Sequence, residues 1–348
     1  MTKSKFQAVS LFSGAGGLDI GCKLAGVDVK VAIDNDADAI ETLKLNNQFK
    51  TTTILKEDIK NFDPKKVEKY LNGKKTILIG GPPCQPFSKN GYWVKNENRK
   101  SNKDPRNCIQ NYFDFVKELN PDGFLLENVE SMLHPTNKQA VNYVLHKSKR
   151  LGYKLKMVKT NALDYGVPQK RKRIFFVGSQ KDFVLDEPQK THYDPNELDL
   201  SNDNLKPYET VGDHIKEFDK AIYKEDFENA TKGTYYNELK KVPPGKNYLA
   251  LCNQKNSKFV KNTRFWNFLL KLAPSLPSWT IAAQPGPWVG PFHWNNRRLR
   301  VPEIAAIQTF PKKYKFFGSR RSIQKQIGNA VPPLLGKAMS KFLVDNLA

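Results

Sequence analysis

Residues 80–88 read Gly-Gly-Pro-Pro-Cys-Gln-Pro-Phe-Ser and follow the apolar run Thr76-Ile77-Leu78-Ile79. Cys84 is therefore held between prolines in a loop at the end of a predicted strand. Proline fixes φ and removes backbone donors, so the loop is stiff before any ligand arrives. A thiol in that setting suits covalent catalysis, because even its small thiolate fraction is strongly nucleophilic. A buried structural cysteine in a turn would leave the same trace, so Cys84 by itself does not decide the matter.

Four other apolar runs end in residues with chemical use. Ala8 to Phe12 runs into Ser13-Gly14-Ala15-Gly16-Gly17, and Val29 to Ile33 ends at Asp34. Thr51 to Leu55 leads to Glu57-Asp58, and Gly123 to Leu126 ends at Glu127-Asn128-Val129. In open α/β sheets, ligands bind beyond the carboxyl ends of the parallel strands. Strand ends of this kind would bring a glycine loop, acidic positions and a cysteine to one crevice. The stretches 18–26, 36–47 and 107–119 can supply the helices between them, and that alternation argues for a doubly wound α/β sheet. The glycine loop fits a tight strand-to-helix turn that brings backbone N–H groups close to a ligand. Asp34 follows Gly14 by 20 residues, the spacing of the ribose-binding acid in dinucleotide folds. Asp19 breaks the GxGxxG pattern, so the loop reads as a nucleoside site without a pyrophosphate. Asp58 could accept from an adenine amino group; a solvated loop carboxylate is the plainer alternative.

Five motifs then occur in order: Phe12-Ser13-Gly14-Ala15-Gly16-Gly17, Pro82-Pro83-Cys84-Gln85, Glu127-Asn128-Val129, Gln169-Lys170-Arg171-Lys172-Arg173 and Gln326-Ile327-Gly328-Asn329-Ala330-Val331-Pro332. The stretch from Arg297 to Gln308, with Glu303 inside it, precedes the last. Each is short, but together their order and spacing are specific. The series resembles that of the DNA cytosine-5 methyltransferases of the bacterial restriction–modification type. The resemblance covers both ends of the chain and skips roughly residues 186–278.

That resemblance implies a doubly wound, Rossmann-like, S-adenosylmethionine-dependent methyltransferase domain over residues 1–185 and 321–348. It implies a smaller target-recognition domain over 186–296 and a hinge segment over 297–320. The activity implied is methyl transfer to carbon 5 of a cytosine flipped out of a specific duplex sequence. Cys84 would add to carbon 6. Glu127, at the end of a buried strand, would donate or share a proton with ring nitrogen 3, since an apolar setting raises carboxyl pKa values. Arg171 would touch the cytosine O2, while Arg173 would support the carboxylate and lie near the DNA. Phe12, Gly14, Gly16, Asp34, Asp58, Pro82, Asn329 and Val331 would line the S-adenosylmethionine site. Ser88 and Thr280 would face the DNA.

Composition agrees with this. A chain of 348 residues suggests about two domains. Its 57 Lys and Arg against 35 Asp and Glu give a net charge of +22, which favours a polyanionic partner such as double-stranded DNA. No apolar stretch approaches the roughly 20 residues of a membrane span, and no signal peptide opens the chain, so a cytoplasmic protein is expected. The cysteines at 22, 84, 108 and 252 have neither CxxC nor zinc spacing, and the five histidines are scattered, so no metal site is expected. Residues 89–107 are polar enough to read as a loop closing over DNA. Beyond Pro243-Pro244-Gly245, aromatics are interspersed with lysines and Arg264. Such aromatics can bind nucleic acid but more usually form a small core, so a second domain built on that core is expected, with basic loops facing the DNA major groove. A monomer is expected, with a cognate restriction endonuclease as partner. Three rival readings remain at this point: a tRNA-acting relative, a catalytically dead DNA-binding relative and an NAD-dependent oxidoreductase. The first lacks its Cys-Phe-Thr signature here, and the last is disfavoured by Pro-Pro-Cys.

Overall fold

The computed structural model describes residues 4–83, 108–196, 204–219, 233–254, 257–261 and 263–348. Cys84, Ser88 and the loop 89–107 lie outside the described residues.

Strands β1 (Phe6–Leu11), β2 (Asp28–Asp34), β3 (Thr53–Lys56), β4 (Lys75–Gly80) and β5 (Gly123–Val129) run parallel. They alternate with helices α1 (Gly17–Leu24), α2 (Ala37–Lys44) and α3 (Ile109–Leu119); α4 (Lys138–Arg150) follows β5. Strands β6 (Lys154–Asn161) and β8 (Lys172–Ser179) complete a seven-stranded sheet in the order β3-β2-β1-β4-β5-β8-β6. The short β7 (Gln169–Lys170) stands just ahead of β8. Further along come β9 (His192–Tyr193), β10 (Lys206–Pro207), α5 (Val211–Ile215), α6 (Tyr236–Lys241), β11 (Ser278–Trp279), α7 (Val301–Ile307), α8 (Arg320–Asn329) and α9 (Pro333–Leu347).

The sheet is covered on both faces, and its central strands β1, β4 and β5 are buried along most of their length. Side chains alternate along a strand, so neighbours enter different cores. Ile77 and Ile79 pack with Leu18 and Cys22 of α1 and Met339 and Leu343 of α9. Leu78, between them, packs with Tyr112, Phe113 and Val116 of α3 and Val144 of α4. Both faces are thus wound with helices, as the alternating pattern predicts. The departure is at the far edge, where β8 is antiparallel to β5 and β6 is antiparallel to β8. Strand β6 reads Lys-Leu-Lys-Met-Val-Lys and is half-exposed as an edge strand, so no continuous apolar run announces it.

A separate small core holds Leu239, Tyr248, Phe259, Phe268, Leu269 and Phe292, flanked by Tyr235 and Trp288. It is built from turns and isolated bridges such as Phe268 with Val289. Val211 and Ile215 of α5, with Leu272 and Ile281, pack instead against Ala15, Ile20 and Leu43 beside the sheet. Glu303 pins the segment between. Its carboxylate accepts from Arg297 Nη1 at 2.8 Å and Nη2 at 2.7 Å, and from the Arg300 backbone N–H at 2.7 Å at the start of α7. Among the described residues, no helix is long and apolar enough to cross a membrane.

Candidate active site

The carboxyl ends of β1 to β5 open into one cavity of about 480 Å³, within the ~300–1,000 Å³ of small-molecule sites. Phe12, Ser13 and Gly14 enter it from β1, Asp34 to Asp36 from β2, Glu57 and Asp58 from β3, Gly81 to Pro83 from β4, and Glu127 and Val129 from β5. The far wall is Lys325, Gln326 and Gly328 to Val331, at the end of α8 and beyond it.

The glycine loop is a turn that few sequences can make. Phe12, Gly14 and Gly16 have φ of 55°, 53° and 76°, so the chain passes repeatedly through the left-handed region. Gly17 starts α1 against the far wall: a Cβ there would sit 2.2 Å from the Val331 carbonyl oxygen. Asp34 locks this loop to the next. Its Oδ2 accepts from the Gly14 N–H and its Oδ1 from the Asp36 N–H, both at 2.8 Å. Burial raises the Asp34 carboxyl above its ordinary range, and the two N–H groups only partly offset this. Burial alone would also raise Asp36, but the Lys325 ammonium, at 2.7 Å, and the first amides of α2 lower it. That ion pair ties the β2 side of the cavity to α8.

At the other end, Glu127 is 8% exposed and pairs with Arg173, Nε to Oε1 at 2.8 Å. The carboxylate therefore has a guanidinium beside it, the support that the resemblance implies for Arg173. Gly81 leaves room for it, since a Cβ there would lie 2.9 Å from Glu127 Oε2. Asn128 turns the strand end by accepting from the Val129 N–H at 2.9 Å and donates to the Pro82 carbonyl at 3.4 Å.

Phe12, Gly14, Asp34, Asp58, Pro82, Asn329, Val331, Glu127 and Arg173 all line the cavity. Gly16, Arg171 and Thr280 are not among its lining residues. Gly16 faces Leu43 and Phe49, where a Cβ would meet side-chain carbons at 2.7 Å and 2.6 Å; its place is turn geometry and packing. Arg171, expected at the cytosine, is 1% exposed and donates through Nη2 to the carbonyls of Gly328 at 3.0 Å and Ala330 at 2.9 Å. The reason is the break between the strands: Arg171 lies between β7 and β8, outside the ladder, whereas Arg173 is inside β8 and paired directly with Val129, so its side chain reaches the Glu127 strand end. Thr280 is exposed and donates to the Lys170 carbonyl at 2.7 Å.

The sequence reading passed over several wall residues. Glu57 stands beside Asp58 at the same strand end, and Lys325 lies four residues before Asn329, one helical turn back on the same face. Cys108 lines the wall just ahead of α3, and burial pushes its thiol up. Asp19, noted only for breaking a glycine pattern, is 0% exposed in the wall; burial, outweighing the Ser10 hydroxyl, raises its pKa to about 6.

The wall chemistry tests which ligand fits. Among the described residues, the wall holds Asp19, Asp34, Asp36, Glu57, Asp58 and Glu127 against Lys60, Arg173 and Lys325. Such an excess of carboxylates repels a pyrophosphate and suits a nucleoside that carries positive charge and no phosphate. Among the described residues, no group of His, Cys, Asp and Glu could hold a metal ion.

A family model, C-5 cytosine-specific DNA methylase, matches residues 6–344. The chain belongs to that family. It is a DNA cytosine-5 methyltransferase, and its methyl donor is S-adenosylmethionine. The type II methyltransferase M.SacI of Streptomyces achromogenes is 35% identical over 99% of this chain and 94% of its own length. M1.HphI of Haemophilus parahaemolyticus, also a type II methyltransferase, is 31% identical over 97% and 86%. Among solved structures, a DNA modification methyltransferase encoded within an E. coli prophage superposes with a TM-score of 0.65 at 23% identity, covering 98% of this chain and 99% of that one. A DNMT2 variant of Spodoptera frugiperda gives 0.66 at 18% identity, covering 97% and 99%. These two establish likeness of fold.

Proposed function

We propose that this enzyme methylates carbon 5 of a cytosine flipped out of a specific duplex sequence, through a covalent adduct of Cys84 at carbon 6. The Glu127–Arg173 pair supports this most, because Gly81-Pro82-Pro83 leads from the same end of the cavity directly to Cys84. A cytosine entering there would meet a carboxyl for ring nitrogen 3 and a guanidinium for O2. Arg173 takes the base-facing part, and Arg171 holds the 328–330 segment in place.

Carbon 5 of cytosine is a poor nucleophile. The Cys84 thiolate forms the sulfur–carbon 6 bond and drives the ring electrons toward carbon 5 and nitrogen 3, where Glu127 supplies or shares the proton. S-adenosylmethionine supplies the electrophilic methyl group. When the carbon 5 proton departs to water, its electron pair re-forms the carbon 5–carbon 6 double bond, the sulfur–carbon 6 bond breaks, the Cys84 thiolate returns and ring nitrogen 3 gives its proton back to Glu127. Asp34 would take the ribose hydroxyls, Asp58 the polar edge of the adenine, and Phe12, Gly14, Pro82, Asn329 and Val331 the rest of the nucleoside. Residues 1–185 and 321–348 form the catalytic domain, and 186–296 read the DNA, with Ser88 and Thr280 beside the opened duplex. The enzyme acts as a cytoplasmic monomer. The type II names of its relatives support a cognate restriction endonuclease that cuts the same site.

The test begins by mapping the methylated cytosine in host DNA. A duplex with 5-fluorocytosine at that position should trap the wild type in a denaturation-resistant complex, because fluorine does not leave as a proton does. Cys84→Ser should give no complex and no methyl transfer while still binding duplex. Turnover by Cys84→Ser would end the mechanism, and methylation of tRNA in preference to duplex DNA would redirect the substrate.

A further inference from the structure

The aromatic residues of the second lobe divide into two groups. Tyr235, Tyr248, Phe259, Phe268, Trp288 and Phe292 make its core. Phe265, Trp266 and Trp279 do not: they are 68%, 54% and 37% exposed. The exposed part of each ring contributes nothing to folding by burial, so a cluster of such surface calls for another reason. Their arrangement is specific. Trp266 and Trp279 meet edge to face, with centroids 5.6 Å apart. The Lys170 ammonium stands 5.2 Å from the Trp279 ring centroid. The backbone holds the group: Trp279 pairs with Lys170 across β11 and β7, and Thr280 anchors on the Lys170 carbonyl. Asn247 fixes the Trp266 carbonyl by donating to it at 2.6 Å.

The chain carries this patch close to Arg173 of the cavity wall. Lys170 is three residues from Arg173, at most about 10 Å along an extended chain. Exposed cations also stand near these residues in the chain, at Lys172, Lys261 and Arg264. Aromatic faces set among basic residues match opened nucleic acid, where phosphates need cations and unpaired bases need a surface on which to stack.

We propose that Trp266 and Trp279, with Lys170, form a stacking platform for the bases left exposed when the target cytosine leaves the duplex. The inference rests on the base-flipping reading above. Flipping breaks the stacking of the target with its neighbours. An indole replaces that stacking without reading sequence, because every base has a π-face. The platform therefore lowers the cost of opening and takes no part in the chemistry.

The experiment compares two duplexes that carry the mapped site: one fully paired, and one with an abasic position opposite the target cytosine. The second duplex is already open, so it does not need the platform. On the paired duplex, Trp279→Ala and Trp266→Ala should each lower kcat/KM roughly ten- to hundredfold, the worth of a stacked base. On the abasic duplex both should turn over close to the wild-type rate, and Trp279→Phe should restore much of the loss on the paired one. Should Trp279→Ala fail to fold, Trp279→Leu keeps apolar volume without a π-face and answers the same question. Equal losses on both duplexes would show a structural role and overturn the platform, as would no loss on the paired duplex. Absence of wild-type turnover on both duplexes would overturn the flipping reading itself, and the platform with it.

Discussion

The two walls of the cavity are built on different principles. The sheet wall is set locally. Each of its groups stands at the end of a parallel strand, and its key bonds tie a strand end to the adjacent loop, such as Asp34 to the amides of Gly14 and Asp36. The closing wall arrives from the far end of the chain and is held by side chains. Arg171 donates to the carbonyls of Gly328 and Ala330. Gln308 donates to the Ile327 carbonyl at 2.6 Å and accepts from Gln169 at 2.8 Å. Gln326 accepts from Thr42 at 2.6 Å and donates to the Phe317 carbonyl at 2.8 Å. Backbone geometry positions the first wall, so its side chains are free to do chemistry. Side chains of Arg171, Gln308 and Gln326 are consumed in positioning the second.

If that division is right, substitutions in the two walls should fail differently. The largest effect belongs to Glu127→Gln, which keeps size and one acceptor but supplies no proton. It should lower kcat roughly 10²–10⁴-fold, the usual worth of a positioned acid, with thermal stability and cofactor affinity near wild type. Comparable losses in duplex binding and in kcat would make Glu127 a binding residue. The closing wall should behave in the opposite way. Arg171→Gln leaves the buried Gly328 carbonyl short of a donor, at about 1–3 kcal/mol, while the Ala330 carbonyl keeps Gln308 Nε2 at 3.3 Å. Stability and cofactor affinity should fall together in calorimetry. Arg173→Gln should leave both close to wild type and lower kcat instead. If the two arginine variants exchange these outcomes, the assignment of Arg173 to the base is wrong.

The same division explains what was legible in the sequence. The sheet wall was, because a strand end is announced by an apolar run and a crevice by the rule that ligands gather at carboxyl ends. Asp34, Asp58, Glu127 and Pro82 could be named on that basis. The motif 169–173 was legible as a motif but not residue by residue. Alternation puts Arg171 and Arg173 on one face of an extended segment, yet the chain leaves β7 and enters β8 between them. The second lobe was least legible, because its core is made by aromatics on turns with no period to read. Exposed Trp266 and buried Phe268 differ by two positions and carry the same kind of sequence signal.

Asp19 sharpens the picture of the sheet wall through pH. Burial raises its carboxyl from 3.8 to about 6. The folded state therefore holds this proton more tightly than the unfolded chain does. The stability it contributes is fully present below pH 3.8 and is lost as pH rises through about 6. The loss is at most about 3 kcal/mol, at 1.36 kcal/mol per pKa unit. In the cofactor-free enzyme, Asp19→Asn should be insensitive to this window. Its unfolding free energy relative to wild type should rise between pH 4 and pH 7, as read from urea midpoints. A constant difference across that range would mean that Asp19 is not held in the acid form by the fold.

The smallest effect concerns Asp34, and it tests whether the sheet wall really separates positioning from binding. Both oxygens of Asp34 already accept backbone N–H groups, yet each keeps a further lone pair for a ligand hydroxyl. Asp34→Ala should weaken S-adenosylmethionine binding by about 1–3 kcal/mol, the range for a hydrogen bond to a charged group. Asp34→Asn separates the two duties. The amide keeps one acceptor oxygen for the loop but offers donors where the Asp36 or Gly14 N–H also donates, so one of the two loop bonds must break. If Asp34 serves mainly to hold the loops, Asn should cost nearly as much stability as Ala and little additional affinity. If it serves mainly the ribose, both variants should melt close to wild type and bind the cofactor several-fold more weakly. Because the loops here are also fixed by the Ser13 N–H to the Ile33 carbonyl at 3.1 Å and by the Tyr314 hydroxyl to the Ala15 carbonyl at 2.7 Å, the second outcome is expected. Titration calorimetry and thermal melts on the three proteins decide it. Unchanged cofactor affinity in Asp34→Ala would remove the residue from the binding site altogether.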